Sequence, residues 1–110
     1  MAFESVLESL YNTILDRKQN PQNGSYTCYL FEQGIDKILK KVGEESAETI
    51  IAAKNENKDE IVLEVSDLIF HLFVMLAEKE ISFEEVMREL EKRSNKTGNL
   101  KTFHQTDKNT

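Results

Sequence analysis

Five carboxylates in two short runs give this sequence its clearest chemical potential. Glu44, Glu45 and Glu48 stand in Gly43-Glu-Glu-Ser-Ala-Glu48, and Glu64 and Asp67 interrupt a segment that is otherwise almost wholly apolar. If both runs are helical, at about 100° per residue Glu48 falls within roughly 40° of Glu44 and 60° of Glu45. Glu64 and Asp67, three positions apart, share a face in the same way. Asn55-Glu56-Asn57 between the runs reads as a short turn, which makes the two helices antiparallel neighbours. Glu48 lies eight positions before the centre of that turn and Glu64 eight after it, so at about 1.5 Å per residue they stand at one height. Glu45 and Asp67 are matched one turn further out. Ionised carboxylates gathered this way repel strongly unless something positive stands between them. Hard oxygen donors favour Mg²⁺, with Mn²⁺ as a substitute, and octahedral Mg²⁺ completes its shell with water and phosphate oxygens.

The bases fit the same chemistry. Lys37, Lys40 and Lys41 precede the acids by one to two turns, while Arg88, Arg93 and Lys96 add cations toward the far end. Clustered acids flanked by bases suit a metal–phosphate ligand. Each part also has a plainer account. Glu44 and Glu45 alone would usually be solvated helix surface, and lysines paired with acids at i+4 are ordinary helix stabilisation. Glu64 or Asp67 alone reads as a buried acid capped by a lysine or tyrosine. His71, one turn beyond Asp67 on the same stripe, is more often a core histidine than a ligand, and Cys28 reads as a small packed side chain. The parts combined are much harder to ascribe to chance than any one of them.

The elements that must position these residues are helical. Phe3, Val6, Leu7, Leu10 and Ile14 predict an amphipathic helix over 2–18, broken by Asn20, Pro21, Asn23 and Gly24. Ser25-Tyr26-Thr27 is able to cap a short helical turn through Phe31, and Gly34 marks a bend. Ile35, Ile38, Leu39, Val42, Ile50 and Ile51 predict a helix over 35–54. From 58 to 79 apolar residues surround nearly the whole circumference, so that helix is expected to be buried in its own core or against a partner subunit. Ser82 with Glu85 forms a capping box, and Ile81 with Val86 a hydrophobic staple, opening a helix that runs to Arg93. Residues 94–110 are polar and are expected to be partly disordered. The fold class is all-α: residues 1–93 form an antiparallel bundle of four to five helices completed by dimerisation.

The bulk properties bound the function. A length of 110 residues with 39% apolar content fits one core, and a formal charge of −6 argues against a nucleic-acid partner. A single cysteine allows no internal disulfide, which suits a reducing cytosol. No stretch approaches the roughly 20 apolar residues needed to span a bilayer. MAFESVLESL lacks the early basic residues of a secretory signal, so a cytoplasmic location with no membrane partner is expected.

Glu44-Glu45-x-x-Glu48 followed by Glu64-x-x-Asp67 resembles the signature of the all-α nucleoside-triphosphate pyrophosphohydrolases. Within that group, three stretches are similar to the phosphoribosyl-ATP pyrophosphatases of histidine biosynthesis. They are Ser25-Tyr26-Thr27, the run from Gly34 to Glu48, and Glu64-Val-Ser-Asp67-Leu-Ile-Phe-His71-Leu. The likeness extends from about Val6 to Arg93, with Ser46 replacing the small apolar residue usual after the glutamate pair. The resemblance implies that Glu45, Glu48, Glu64 and Asp67 ligate Mg²⁺, with Glu44 behind them or positioning the attacking water. It implies that Lys37, Lys40, Lys41 and the Ser25, Tyr26, Thr27 loop meet phosphates or ribose, and Arg93 and His71 join them as candidates for substrate binding. The implied reaction is hydrolysis of phosphoribosyl-ATP at its α–β phosphoanhydride to phosphoribosyl-AMP and pyrophosphate, the second step of histidine biosynthesis, in at least a homodimer. The cyclohydrolase domain sometimes fused to such enzymes is not found here, so only the pyrophosphatase step is expected.

Three alternatives differ in what they explain. A house-cleaning nucleoside-triphosphate pyrophosphohydrolase shares the acids but not the Ser-Tyr-Thr and lysine-rich stretches. A di-iron bundle needs Glu-x-x-His on two helices, and neither Glu48 nor Glu64 has histidine at i+3. A non-catalytic helical dimerisation module leaves Glu64 and Asp67 as an unexplained cost.

Overall fold

The structure, a computed structural model, describes residues 3–95. The order is α1 (Phe3–Gln19), α2 (Tyr26–Gln33), α3 (Ile35–Lys54), α4 (Lys58–Glu78) and α5 (Phe83–Ser94), with no strand among the described residues. The all-α expectation is met. From residue 96 onward the polar tail, with Lys96, lies outside the described residues.

Local chemistry sets the helix ends. The Ser25 hydroxyl accepts a hydrogen bond from the Cys28 amide at 3.2 Å and starts α2, and Asn57 does the same for the Glu60 amide at the head of α4. Ser82 and Glu85 form the reciprocal capping box of α5. α2 runs two residues beyond the expected end at Phe31, to Gln33, and stops at Gly34. Gly34 adopts φ 90°, a region that favours glycine, and its amide donates to the Leu30 carbonyl at 3.0 Å. Its own carbonyl accepts from the Ile38 amide at 3.2 Å, so one residue closes α2 and opens α3.

α3 and α4 form the central antiparallel hairpin, in the most extensive contact of any helix pair. The reversal is tight: the Asn55 amide returns to the Ile51 carbonyl and the Asn57 amide to that of Ala52, with Glu56 at φ 54°. α1 and α2 pack across the C-terminal half of α4. Tyr11, Ile14, Leu30, Ile38, Phe73, Val74 and Ala77 make the core. Ile14, Leu30, Ile38 and Val74 are fully buried, each worth about 1.5–3 kcal/mol relative to exposure. Two polar ties fasten α1 to the end of α4: the Tyr11 hydroxyl donates to the Ile81 carbonyl, and the Lys18 ammonium donates to the Ala77 carbonyl at 2.9 Å.

α4 is two-sided along its length. Its buried residues, His71, Phe73, Val74 and Ala77, all lie in its second half. In its first half Val62 is 63% and Leu63 59% exposed, beside exposed Val65 and, across the hairpin, Ile50 and Ile51. A single chain therefore does not bury this helix all round. It leaves an apolar face on the half of the hairpin that carries the acids.

Candidate active site

Three of the acids meet. Glu45, on the inner face of α3, is only 5% exposed, and Glu48 one turn later is exposed. Glu64 reaches across from α4, and one carboxylate oxygen from each of Glu45, Glu48 and Glu64 lies within 4.8 Å of the others. The height matching across the turn thus brings three acids of the expected set together. Asp67 stands outside that group: three positions place it about 60° round the helix from Glu64, and it is exposed.

The electrostatics of the cluster are unresolved by the protein alone. Glu64 is pushed up to about 7, first by the close approach of the Glu45 carboxylate, then by burial and by the Glu48 carboxylate. Glu45 has partners on one oxygen only. Its Oε1 lies 3.8 Å from the Lys41 ammonium and 4.0 Å from His71 Nδ1, while its buried Oε2 has no hydrogen-bond partner. An unpartnered buried carboxylate oxygen is costly. With the Glu48 and Glu64 carboxylates beside it, Glu45 fits a hard divalent cation, and the all-oxygen donor set suits Mg²⁺ or Mn²⁺. A hollow of about 170 Å³ adjoins the cluster toward the turn, lined by Glu48, Ile51, Asn55, Asn57, Glu60 and Glu64.

Lys41 links the inner acid to the outer one. Its ammonium lies 3.4 Å from Glu44, which is exposed and outside the three-acid group. Burial pulls the Lys41 pKa down, but Tyr26, Glu44 and Glu45 outweigh it and leave it raised.

His71 is a buried core residue, as its type most often is, yet it borders the site. Its Nδ1 lies 2.8 Å from the Asp67 carbonyl, which can only accept, so Nδ1 carries the proton. Neutral His71 therefore offers Nε2 as acceptor to the Tyr26 hydroxyl, 3.0 Å away. Burial raises the Tyr26 pKa, Lys41 opposes it, and Glu45, Tyr29 and Asp67 add to it, which places the phenol in the field of the acids.

The other expected residues divide. Ser25 caps α2, and Thr27 follows in its first turn. Lys37 carries its ammonium 6.0 Å from the centre of the Tyr29 ring, and Lys40 is exposed beside it on α3. Arg93 is not gathered at the acids: on α5, its Nε donates to Glu89 at 2.8 Å. Two aromatic residues escaped the sequence reading. Tyr26 stacks on Tyr29 and on Phe70, with centroids 6.1 Å apart in both pairs. The i+3 spacing of Tyr26 and Tyr29 was a visible signal; Phe70 was hidden in the apolar run.

Five helices among the described residues thus carry a cluster of acids paired across the central hairpin, and the chain's relatives make it a hydrolase. More narrowly, the chain belongs to the phosphoribosyl-ATP pyrophosphohydrolase family, whose model matches residues 7–94. It is 59% identical over 96 residues to the phosphoribosyl-ATP pyrophosphatase of Clostridium novyi, covering 87% of each chain. It is 56% identical over 93 residues to that of Bacillus cytotoxicus, covering 84% of this chain and 87% of the relative. It also matches the histidine biosynthesis bifunctional protein HisIE of Caldanaerobacter subterraneus, at 62% over 91 residues, covering 83% of this chain and 44% of that protein. The resemblance read from the acid motifs and the lysine-rich run is borne out.

Proposed function

We propose that this chain hydrolyses phosphoribosyl-ATP at the α–β phosphoanhydride, releasing pyrophosphate and phosphoribosyl-AMP for histidine biosynthesis. The observation that carries the site assignment is Glu45, buried with one oxygen unpartnered and gathered with Glu48 and Glu64. Those three residues would hold Mg²⁺, or Mn²⁺ in its place, with Asp67 as the candidate fourth donor. Bound there, the ion would neutralise phosphate charge and acidify a coordinated water.

The chain's own groups supply the rest. Glu44 is the candidate base: its carboxylate is exposed, held 3.4 Å from Lys41, and free of the three-acid group. Lys41, beside the inner acid, is placed to meet the phosphates nearest the cleaved bond with Lys40 next to it, and Lys37 stands one turn further along α3 toward the rest of the substrate. Tyr26, fixed by His71, and the Ser25–Thr27 turn border the ribose side. A second copy of the chain would cover Ile50, Ile51, Val62, Leu63 and Val65, since an apolar face of this kind beside an active site suits an isologous partner. No described helix is long and apolar enough to cross a membrane, and we place the enzyme in the cytoplasm.

Pyrophosphate release from phosphoribosyl-ATP and from a panel of ordinary nucleoside triphosphates, with Mg²⁺ and with EDTA, tests the function. Metal-dependent release confined to phosphoribosyl-ATP is expected. Release from the panel instead would move the protein to house-cleaning chemistry. Glu45→Gln should lower turnover by at least about 100-fold while the helical circular dichroism stays unchanged. Wild-type rates in that variant at saturating Mg²⁺ would overturn the site.

A further inference from the structure

We propose that the exposed Tyr29 ring, together with the Lys37 ammonium 6.0 Å from its centre, is the specificity site for the half of the substrate remote from the triphosphate. Tyr29 takes the purine ring, and Lys37 takes the phosphate of a phosphoribosyl group carried on that purine. This rests on the substrate assigned above and adds what distinguishes that substrate from ATP.

Three rings form a column, Phe70–Tyr26–Tyr29, with neighbouring planes inclined by 27° and 24°. The column is anchored at the acid end, because the central ring, Tyr26, donates its hydroxyl to buried His71. Its other end is open: Tyr29 is 41% exposed. Two stacked tyrosines held half in solvent keep a large apolar face available, the surface on which a nucleobase stacks. The cations on α3 are divided to match. Lys41 stands 3.8 Å from Glu45, whereas Lys37, four residues earlier and about 6 Å along the axis, forms no ion pair among the described residues and lies near the Tyr29 ring. An uncompensated ammonium beside an exposed π face fits an aromatic ligand that also carries an anion. A groove beside the rings, lined by Gln22, Asn23, Ser25, Tyr26, Tyr29 and Glu32, offers amide and carboxylate partners for sugar hydroxyls and purine edges.

The test uses the full chain with Mg²⁺, reading kcat and KM for phosphoribosyl-ATP and equilibrium binding of phosphoribosyl-AMP and AMP. Tyr29→Leu removes the ring face and should raise KM and both dissociation constants by about 5- to 150-fold, the range of one base stacked on an aromatic side chain, with kcat within about twofold. Tyr29→Phe should restore wild-type values. Lys37→Gln should weaken phosphoribosyl-AMP by about tenfold and leave AMP unchanged, the pattern of a phosphate contact that only the longer ligand makes. Unchanged KM and binding in Tyr29→Leu would overturn the ring face. Equal losses for both ligands in Lys37→Gln would overturn the assignment of Lys37. A wild-type enzyme that ignores phosphoribosyl-ATP would instead sink the substrate assignment, and the ring face would still stand or fall on AMP binding to Tyr29→Leu.

Discussion

Replacing Glu64 by Gln should remove most of the pH dependence of stability that the acid cluster imposes on the metal-free chain. Glu64 is raised to about 7 in the folded protein against 4.5 as an ordinary glutamate, because the Glu45 carboxylate lies against it, burial disfavours its charge, and Glu48 repels it. A carboxyl raised in this way is favoured in its neutral form by the fold. Its stabilising contribution is complete below about pH 4.5 and is lost as pH rises through 7. At the midpoint between those values folding takes up about 0.9 proton, against about 0.1 at pH 8. Glu64 is partly exposed, so solvent screening makes these upper figures. Urea midpoints measured in EDTA from pH 4.5 to 8 give the proton count from their slope. The wild type should lose stability across that window, and Glu64→Gln, which keeps the shape and a donor but cannot titrate, should lose much less.

Metal binding supplies the second arm of the same experiment. An ion held by Glu64 must displace that proton, so Mg²⁺ should release about 0.9 proton at pH 6 and about 0.1 at pH 8, with apparent affinity about tenfold weaker at the lower pH. Calorimetry in two buffers of different ionisation heat reads both quantities. A wild-type midpoint that is flat or rises with pH, or proton release that persists in Glu64→Gln, would refute the coupling of these three acids.

Two further outcomes follow from the fold. Ser82→Ala breaks the capping box of α5 and should cost about 1 kcal/mol in urea denaturation while leaving pyrophosphate release unchanged. Leu63→Glu, on the exposed first half of α4, should turn the dimer proposed above into a folded monomer in sedimentation; a dimer that persists would move the interface elsewhere.

How far the sequence reveals this fold depends on what each signal measures. The apolar stripe and the Asn55–Asn57 turn give the bounds of α3 exactly as far as Lys54 because period and breaker coincide there. α2 carried no such pair of signals: Glu32 and Gln33 look like the start of a loop, yet Gly34 stops the helix only after them. Counting from the turn fixes axial height, which is why Glu48 and Glu64 meet, but it says less about azimuth, and Asp67 shares the level without joining the group. The Tyr26–His71 bond joins residues 45 positions apart, and no local pattern predicts a single long-range hydroxyl–imidazole contact. Composition shows that α4 is apolar all round. It does not show that the chain's own helices cover only the second half.

Glu45 separates an enzyme from a helical dimerisation module on physical grounds. A module that only had to pair would be more stable with a leucine at position 45, where the backbone is helical and the side chain is almost fully enclosed. The carboxylate there gains one ammonium and one imidazole edge on Oε1 and nothing on Oε2, while pressing against two like charges. The unpartnered oxygen and the like charges oppose folding, and neither the core of α1, α2 and α4 nor the exposed apolar face requires them. Local conflict of this kind concentrates where a ligand recovers its cost. A ligand that recovered it would be positive, small enough to sit between Glu45, Glu48 and Glu64, and content with oxygen, which describes the divalent cation proposed above without appeal to any relative's name.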